Sequence, residues 1–289
     1  MPRIAYLGPE GTFTEAALSG MVAAGVVPVS DFEPLAARSP SAALQMVRDG
    51  DADYACVPIE NSIEGSVLPT LDSLAHGSLV QIFAEFTLDI AFTIAARPGT
   101  TDPVSIAAFP VARAQVERWA AANMPLARFQ AADSNAAAAV DVAEGRADAA
   151  VTTPLAAQRH GLTALATDVI DEPNARTRFV LAGHPAPPPA RTGADRTSVV
   201  LRLDNVPGAL AAALTEFADR GIDLTRIESR PTRTELGTYI FFVDCVGHVD
   251  DDAVAAALKS LDERCADVRN LGSWPIGSAG VTQLRGETP

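Results

Sequence analysis

The chain has 289 residues and carries 22 Lys+Arg against 36 Asp+Glu, a formal net charge of −14 with four His neutral. Phosphate-backbone binding rests on clustered cations. Here Lys259 is the single lysine and every other basic residue is an arginine, which excludes nucleic acid as a partner and leaves any anionic ligand to a few placed arginines or helix N-termini.

At about 100–200 residues per domain the length fits roughly two domains, and 54 alanines against 16 aromatics favour small-residue helices packed closely on sheets. Met1–Leu7 runs straight into a strand pattern without the basic and apolar regions of a secretory signal. No apolar run reaches the roughly 18 residues of a membrane helix. Cys56, Cys245 and Cys265 show no C-x-x-C spacing and His76, His160, His184 and His248 are scattered, so neither disulfides nor a metal site is expected. A cytoplasmic protein that engages no membrane follows as the expectation.

After the strand Ile4–Leu7 comes Gly8-Pro9-Glu10-Gly11-Thr12-Phe13-Thr14-Glu15, in which Thr12 and Glu15 have capping-box spacing. This reads either as a plain capped turn or as an anion site at a helix N-terminus. Further on, Ser39–Pro58 can be laid on Ser134–Pro154 at a constant offset of 95, which aligns Ser39 with Ser134, Gly50 with Gly145 and Asp53 with Asp148. Each copy predicts a Ser-capped helix, a Gly at its C-terminus and a short buried strand. Two such units imply two similar α/β lobes whose strand ends face a shared cleft.

The first of those strands runs into Pro58-Ile59-Glu60-Asn61-Ser62-Ile63-Glu64-Gly65-Ser66-Val67, dense in polar residues, with Gly65-Ser66 placed where a helix N-terminus would hold a carboxylate. Ile82–Ala95 is strand-rich and crosses between lobes, and Val169–Ala182 brings the chain back. Within the return, Asn174-Ala175-Arg176-Thr177-Arg178-Phe179 offers a hydroxyl in Thr177 and a bidentate carboxylate grip in Arg178. The Pro-rich stretch Gly183–Arg196 then marks a linker. Beyond it, strands at Thr197–Leu203, Leu224–Arg230, Thr238–Val246 and Val268–Ser273, with helices at Gly208–Ala218 and Asp250–Leu261, give a ferredoxin-like βαββαβ order.

Gly8–Ala17, Pro58–Val67 and Thr177–Leu181, in this order, resemble the signature segments of the prephenate dehydratase family, and the unit after residue 196 resembles its ACT domain. The segment Phe109–Val116 lacks the family's His and Cys, so no catalytic role is assigned there. The resemblance implies a periplasmic-binding-protein-like two-lobed α/β domain with a central cleft. It also implies a lyase of phenylalanine biosynthesis that turns prephenate into phenylpyruvate, CO2 and water without a cofactor. Residues 1–184 are the expected catalytic unit (lobe one about 1–85 and 171–184, lobe two about 86–170), followed by a linker at 185–196, the ACT unit at 197–276 and a tail at 277–289. Thr177 is implied as the catalytic residue, with Glu64 or Glu60 as the ultimate proton source. Thr12, Asn61, Ser62, Glu64, Gly65, Ser66, Arg178 and Phe179 are the expected substrate-binding residues. Asn205, Gly208, Ala209 and Leu210, with Glu228, Ser229, Arg230 and Pro231, are implied to bind the effector L-phenylalanine between paired ACT domains, hence a homodimer or homotetramer. Arogenate as substrate, and a non-catalytic two-lobed binding protein, stand as the alternatives.

Overall fold

The computed structural model describes residues 1–27, 31–233 and 237–277; the expected tail lies outside this range apart from Gly277. The chain opens with β1 (Arg3–Leu7), α1 (Phe13–Ala23), β2 (Glu33–Ala37), α2 (Pro40–Arg48) and β3 (Tyr54–Asn61), then β4 (Gly65–Ser66), α3 (Leu68–Ala75) and β5 (Gln81–Asp89). A second set follows: β6 (Phe92–Ala96), β7 (Ser105–Ala108), α4 (Pro110–Ala114), α5 (Glu117–Asn123), β8 (Arg128–Ala131), α6 (Asn135–Ala143), β9 (Ala149–Thr152), α7 (Pro154–Arg159) and β10 (Thr163–Val169). Finally β11 (Arg176–Gly183) returns to the first sheet, whose order is β2-β1-β3-β11-β5 with β4 beside β3; the second sheet runs β10-β6-β9-β7-β8.

The offset of 95 is visible in the hydrogen bonds. Ser39 caps α2 by accepting from Ala42 N–H, and Ser134 caps α6 by accepting from Ala137 N–H. Each helix ends on a glycine with positive φ, Gly50 at 76° and Gly145 at 79°. There Asp51 N–H reaches back to the Met46 carbonyl and Arg146 N–H to the Asp141 carbonyl, the same six-residue closure at both ends. Asp53 then accepts from Arg3 N–H at the start of β1, as Asp148 accepts from Ser105 N–H at the start of β7. The sheets agree: β1 is parallel to β2 and β3 while β11 runs antiparallel to β3, and β7 is parallel to β8 and β9 while β6 runs antiparallel to β9.

Between the sheets the chain crosses at Ile90–Ala91, later than the expected break near residue 85, because β5 stays paired with β11 as far as Asp89 opposite Arg176. Ile90 N–H bonds the Ala175 carbonyl at 2.8 Å, so the outgoing and returning segments cross side by side.

The C-terminal unit comprises β12 (Asp195–Arg202), α8 (Ala209–Ala218), β13 (Leu224–Pro231), β14 (Tyr239–Val246), α9 (Asp252–Arg264) and β15 (Asp267–Pro275), with sheet order β13-β14-β12-β15. Alternation along its strands gives it two apolar faces. Val199, Leu201 and Val243 pack against Phe217 and Leu261 of α8 and α9. Val200, Phe242 and Trp274 instead share a core with Leu44, Leu71 and Ile82 of the first lobe. The approach of β15 to β5 needs Gly272, since a Cβ there would stand 2.4 Å from the Ile82 carbonyl oxygen. Residues 184–194 connect the units without helix or strand, and Pro189 is tied down where its carbonyl accepts from His248 Nε2 at 2.9 Å. Among the described residues no helix is long and apolar enough to cross a membrane.

Burial separates the three thiols. Cys56 and Cys245 are enclosed, and burial pushes both upward, Cys245 to about 12; half-exposed Cys265 is raised by burial and by the nearby Asp204 and Asp262. A disulfide thiol reagent at pH 8 is therefore expected to titrate one equivalent, Cys265, in the native protein and three after unfolding. Rapid native reaction of two or three equivalents would contradict this packing.

Candidate functional site

A cavity of about 940 Å³ opens between the lobes, where the carboxyl ends of the parallel strands meet. The β1–α1 turn brings Thr12 and Phe13, the β2–α2 turn Arg38, and the end of β3 brings Asn61 with Glu64 beyond it. Opposite them stand Phe109 and Gln115 around α4 and Asp133–Asn135 after β8, while β11 adds Thr177 and Phe179 to the floor. Phe13 and Phe92 meet edge to face across the lobes with centroids 5.6 Å apart. The lobes also touch directly. Thr153 Oγ1 donates to the Gly11 carbonyl at 2.5 Å, Arg159 pairs with Glu15, and a Cβ on Gly11 (φ 85°) would stand 2.9 Å from that of Ala156.

Thr177 is 8% exposed, and its hydroxyl is oriented by a chain of fixed partners. Asn61 lies opposite Thr177 in the β3–β11 ladder, which puts both side chains on the cleft face. The Asn61 Oδ1 accepts from the backbone N–H groups of Ile63 and Glu64 at 2.8 and 2.9 Å. That turn decides which way the amide faces, so Nδ2 points at Thr177 and donates to Oγ1 at 2.9 Å. Oγ1 is then an acceptor from Asn61, and its own hydrogen is left to donate into the cleft. Thr12 is used differently, its hydroxyl donating to the Leu7 carbonyl at 2.9 Å while Glu15 reaches back to Gly11 N–H at 2.6 Å. This leaves the first turn of α1 facing the cavity.

Several expected residues lie elsewhere. Gly65 and Ser66 form β4, paired with Asn61 and Glu60, rather than a helix N-terminus; α3 starts at Leu68, set by Pro69 in its first turn. Ser62 is spent joining β3 to β11, donating to the Asn174 carbonyl and accepting from Arg176 N–H. Arg178 is the main correction. Side chains alternate along a strand, so with Thr177 and Phe179 facing the cleft, Arg178 points to the opposite face, where it is 7% exposed. There it contacts Glu60 at 2.9 Å, Glu85 at 3.2 Å and Asp244 at 2.8 Å. Glu60, opposite Arg178 in the ladder, is held in that ion pair and faces away from the cleft, which removes it as a proton source.

What the sequence reading missed comes mostly from the second lobe. Arg38 lines the cavity and, among the described residues, has no carboxylate partner. The buried oxygens Gln115 Oε1 and Asn135 Oδ1, both on cavity-lining residues, have no hydrogen-bond partner within the protein. Buried polar atoms are almost always paired, so two unpartnered oxygens on residues bordering one cavity stand out. At the offset of 95 Asn135 aligns with Pro40 and Asp133 with Arg38, so the repeat marks these two turns but neither polar side chain.

The Arg178 contacts belong to a buried cluster between the first lobe and the C-terminal sheet. Asp244 on β14 accepts two hydrogen bonds from Arg226 at 2.9 and 3.0 Å and one from Ser198 at 2.7 Å; Arg196 Nε lies 3.0 Å from Glu85, which also accepts from Trp274 Nε1. Burial pushes the Asp244 carboxyl up, but Arg226, Arg178 and the Ser198 hydroxyl override it and hold it well below the usual range. Burial likewise pulls the Arg178 guanidinium down, and Asp244 and Glu85 drive it above its ordinary value.

The expected effector residues divide in two. Asn205, Ala209 and Leu210 border a small cavity of about 120 Å³ with Tyr239 and Phe241, beside Gly208, which caps α8 at φ 86°. Glu228, Ser229, Arg230 and Pro231 lie on β13. Within one chain Glu228 accepts from Ser66 at 3.2 Å, and Arg230 forks onto Asp72 at 3.0 and 3.1 Å.

Comparison with known proteins gives matches along nearly the whole chain. The family model described as prephenate dehydratase matches residues 4–187, and that of the ACT domain residues 197–263. A curated relative, the prephenate dehydratase of Mycobacterium tuberculosis strain H37Rv, is 68% identical over 288 residues, covering 98% of this chain and 90% of the relative. Among solved structures, the prephenate dehydratase of Arthrobacter aurescens in complex with L-Phe is 42% identical with a TM-score of 0.88, covering 95% of this chain and 90% of that one. A protein described as GqqA, a quorum quenching acylase, is 29% identical with a TM-score of 0.81, covering 96% and 98%.

The depressed Asp244 carboxyl has a defined consequence for acid stability. A group whose folded pKa lies below its unfolded value of 3.8 contributes stability above that pH and loses it as pH falls further. Urea melts are expected to show Asp244→Asn less stable than the parent at pH 5–7, with the gap narrowing below about pH 4. A gap that stays constant down to pH 2.5 would contradict the ion cluster.

Proposed function

The chain belongs to the prephenate dehydratase family, and from that premise we propose how its cleft turns prephenate into phenylpyruvate, CO2 and water and how its C-terminal unit serves regulation by phenylalanine. As a carbon–oxygen lyase it breaks the bond from the ring to its carboxylate and the bond from the ring to its hydroxyl. The electron pair left by departing CO2 closes the aromatic sextet and expels hydroxide, which takes up a proton to become water. The catalytic demand is to hold a dianion in place and to stabilise the leaving oxygen.

Thr177 is the catalytic group in this reading, and the Asn61 hydrogen bond carries it. With Oγ1 already accepting from Asn61, the Thr177 hydrogen is aimed into the cavity to donate to the leaving hydroxyl. A threonine hydroxyl is a poor acid, so it acts as a fixed donor to the developing negative charge while the proton itself comes from solvent at the rim, where exposed Glu64 stands. Phe179 and Phe13 pack the ring, the amide oxygen of Gln115 or Asn135 accepts from the ring hydroxyl, and Arg38 with the first turn of α1 holds a carboxylate. Among the described residues the cavity lining contains no histidine or cysteine, so no acyl-transfer dyad is read from it. The same cleft would take arogenate with an amine in place of the keto group.

Residues 1–184 are assigned to the catalytic unit and 197–276 to the regulatory one. The cavity beside Asn205, Ala209 and Leu210 is the effector site in this reading, closed by the β13 segment of a second copy. Support comes from the open edge strand β13 with Ile227 exposed and from Tyr239, also exposed, at the cavity. A cytoplasmic homodimer or homotetramer follows.

Thr177→Ala is expected to lower kcat on prephenate at least about tenfold, equal to about 1.4 kcal/mol of transition-state stabilisation, with unchanged far-UV circular dichroism. Wild-type turnover would remove Thr177 from the mechanism. Arg38→Gln is expected to raise KM about tenfold with kcat within about threefold, and Arg38→Lys to recover part of the affinity. An unchanged KM in Arg38→Gln would show that the carboxylate is held elsewhere.

A further inference from the structure

We propose that Asp244, in the C-terminal unit, is a positioning residue for the reaction: through Arg178 it holds β11 where the Thr177 hydroxyl meets Asn61. The inference rests on the reading of Thr177 given above. Thr177 and Arg178 are consecutive on β11, so fixing the guanidinium on one face fixes the hydroxyl on the other. The fixing is needed at this point because the β3–β11 register shifts between Arg178 and Phe179, with Ile59 passed over, so the ladder is irregular beside the catalytic residue.

The ion cluster supplies the missing restraint. Arg178, Arg196 and Arg226 face Glu60, Glu85 and Asp244, three charges of each sign in a space closed by Trp274. Asp244 joins its halves, since one carboxylate oxygen lies 2.8 Å from Arg178 and 2.9 Å from Arg226. The planar guanidinium fork accepts few orientations when its partners are buried on both sides. Asp244 is on β14, so the scaffold of the catalytic hydroxyl extends into the C-terminal unit.

A double-mutant cycle on the full-length enzyme tests this. Asp244→Asn keeps the shape and an acceptor oxygen but removes the charge. It is expected to lower kcat about tenfold while leaving KM for prephenate within about twofold, because the cleft's own anchors are untouched. In a Thr177→Ala background, where there is no hydroxyl left to position, the same change should lower kcat by less than about twofold. An equal loss in both backgrounds, or an unaltered kcat in folded Asp244→Asn, overturns the proposal; a purely structural role predicts one of those two. Wild-type turnover in Thr177→Ala alone overturns the reading of Thr177 and the proposal with it. Should Asp244→Asn not fold, Ser198→Ala removes only the 2.7 Å hydrogen bond to Asp244. It should give a smaller fall, about twofold to threefold, that likewise disappears in the Thr177→Ala background; its absence, or its persistence there, overturns the proposal.

Discussion

β11 is laid antiparallel between β3 and β5 in a register that sets Thr177 against Asn61 and Arg178 against Glu60. A slip of one residue would turn Thr177 and Phe179 away from the cleft and drive Arg178 into it. The register is held from several sides. Ser62 bonds the backbone at both Asn174 and Arg176, Ile90 bonds Ala175 at the crossing, and the buried carboxylates capture the Arg178 side chain. Because the strand returns from the second lobe, the same register also fixes where that lobe sits over the first.

Charge is used sparingly in the cleft. With a net charge of −14 the chain provides no general attraction for a dianion, and the arginine beside Thr177 is committed to three carboxylates on the far face. In the proposed reading what remains for the substrate is Arg38, the first turn of α1 and the amide side chains of Gln115 and Asn135. Such groups act strongly because the cavity is walled by Phe13, Phe92, Phe109 and Phe179, which keep the local dielectric low.

The two lobes are variations on one unit, with matching Ser caps, matching glycine closures and matching aspartates at the strand starts. Repetition explains why the cleft is lined by equivalent turns from both sides. The lobes differ in what they present: lobe one offers Thr12, Arg38 and Asn61, lobe two Gln115 and Asn135. Contact at Gly11 and Ala156, tight enough to exclude a Cβ, keeps the turns within reach of a single small substrate.

Local chemistry was legible in the sequence wherever it is local in the fold. Capping serines, helix-ending glycines, the Pro-rich linker and the βαββαβ order depend on residues a few positions apart, and each reads directly from its motif. Membership of Thr12, Asn61, Glu64, Thr177 and Phe179 in the cleft was equally legible, since they lie at strand ends within recognisable segments. The fate of Arg178 was not, because a tripeptide does not say which face of a strand it offers or what covers that face. Its partners Glu85 and Asp244 lie 93 and 66 residues away in the chain. Gln115 and Asn135 became visible only as buried atoms without partners, a property of the closed cavity rather than of any motif. The sequence by itself determined the two-lobed unit, its regulatory companion and most of the cleft. Only the tertiary structure decided which polar groups are used up in holding strands together and which are left for substrate, because hydrogen-bond capacity is allotted when distant strands meet.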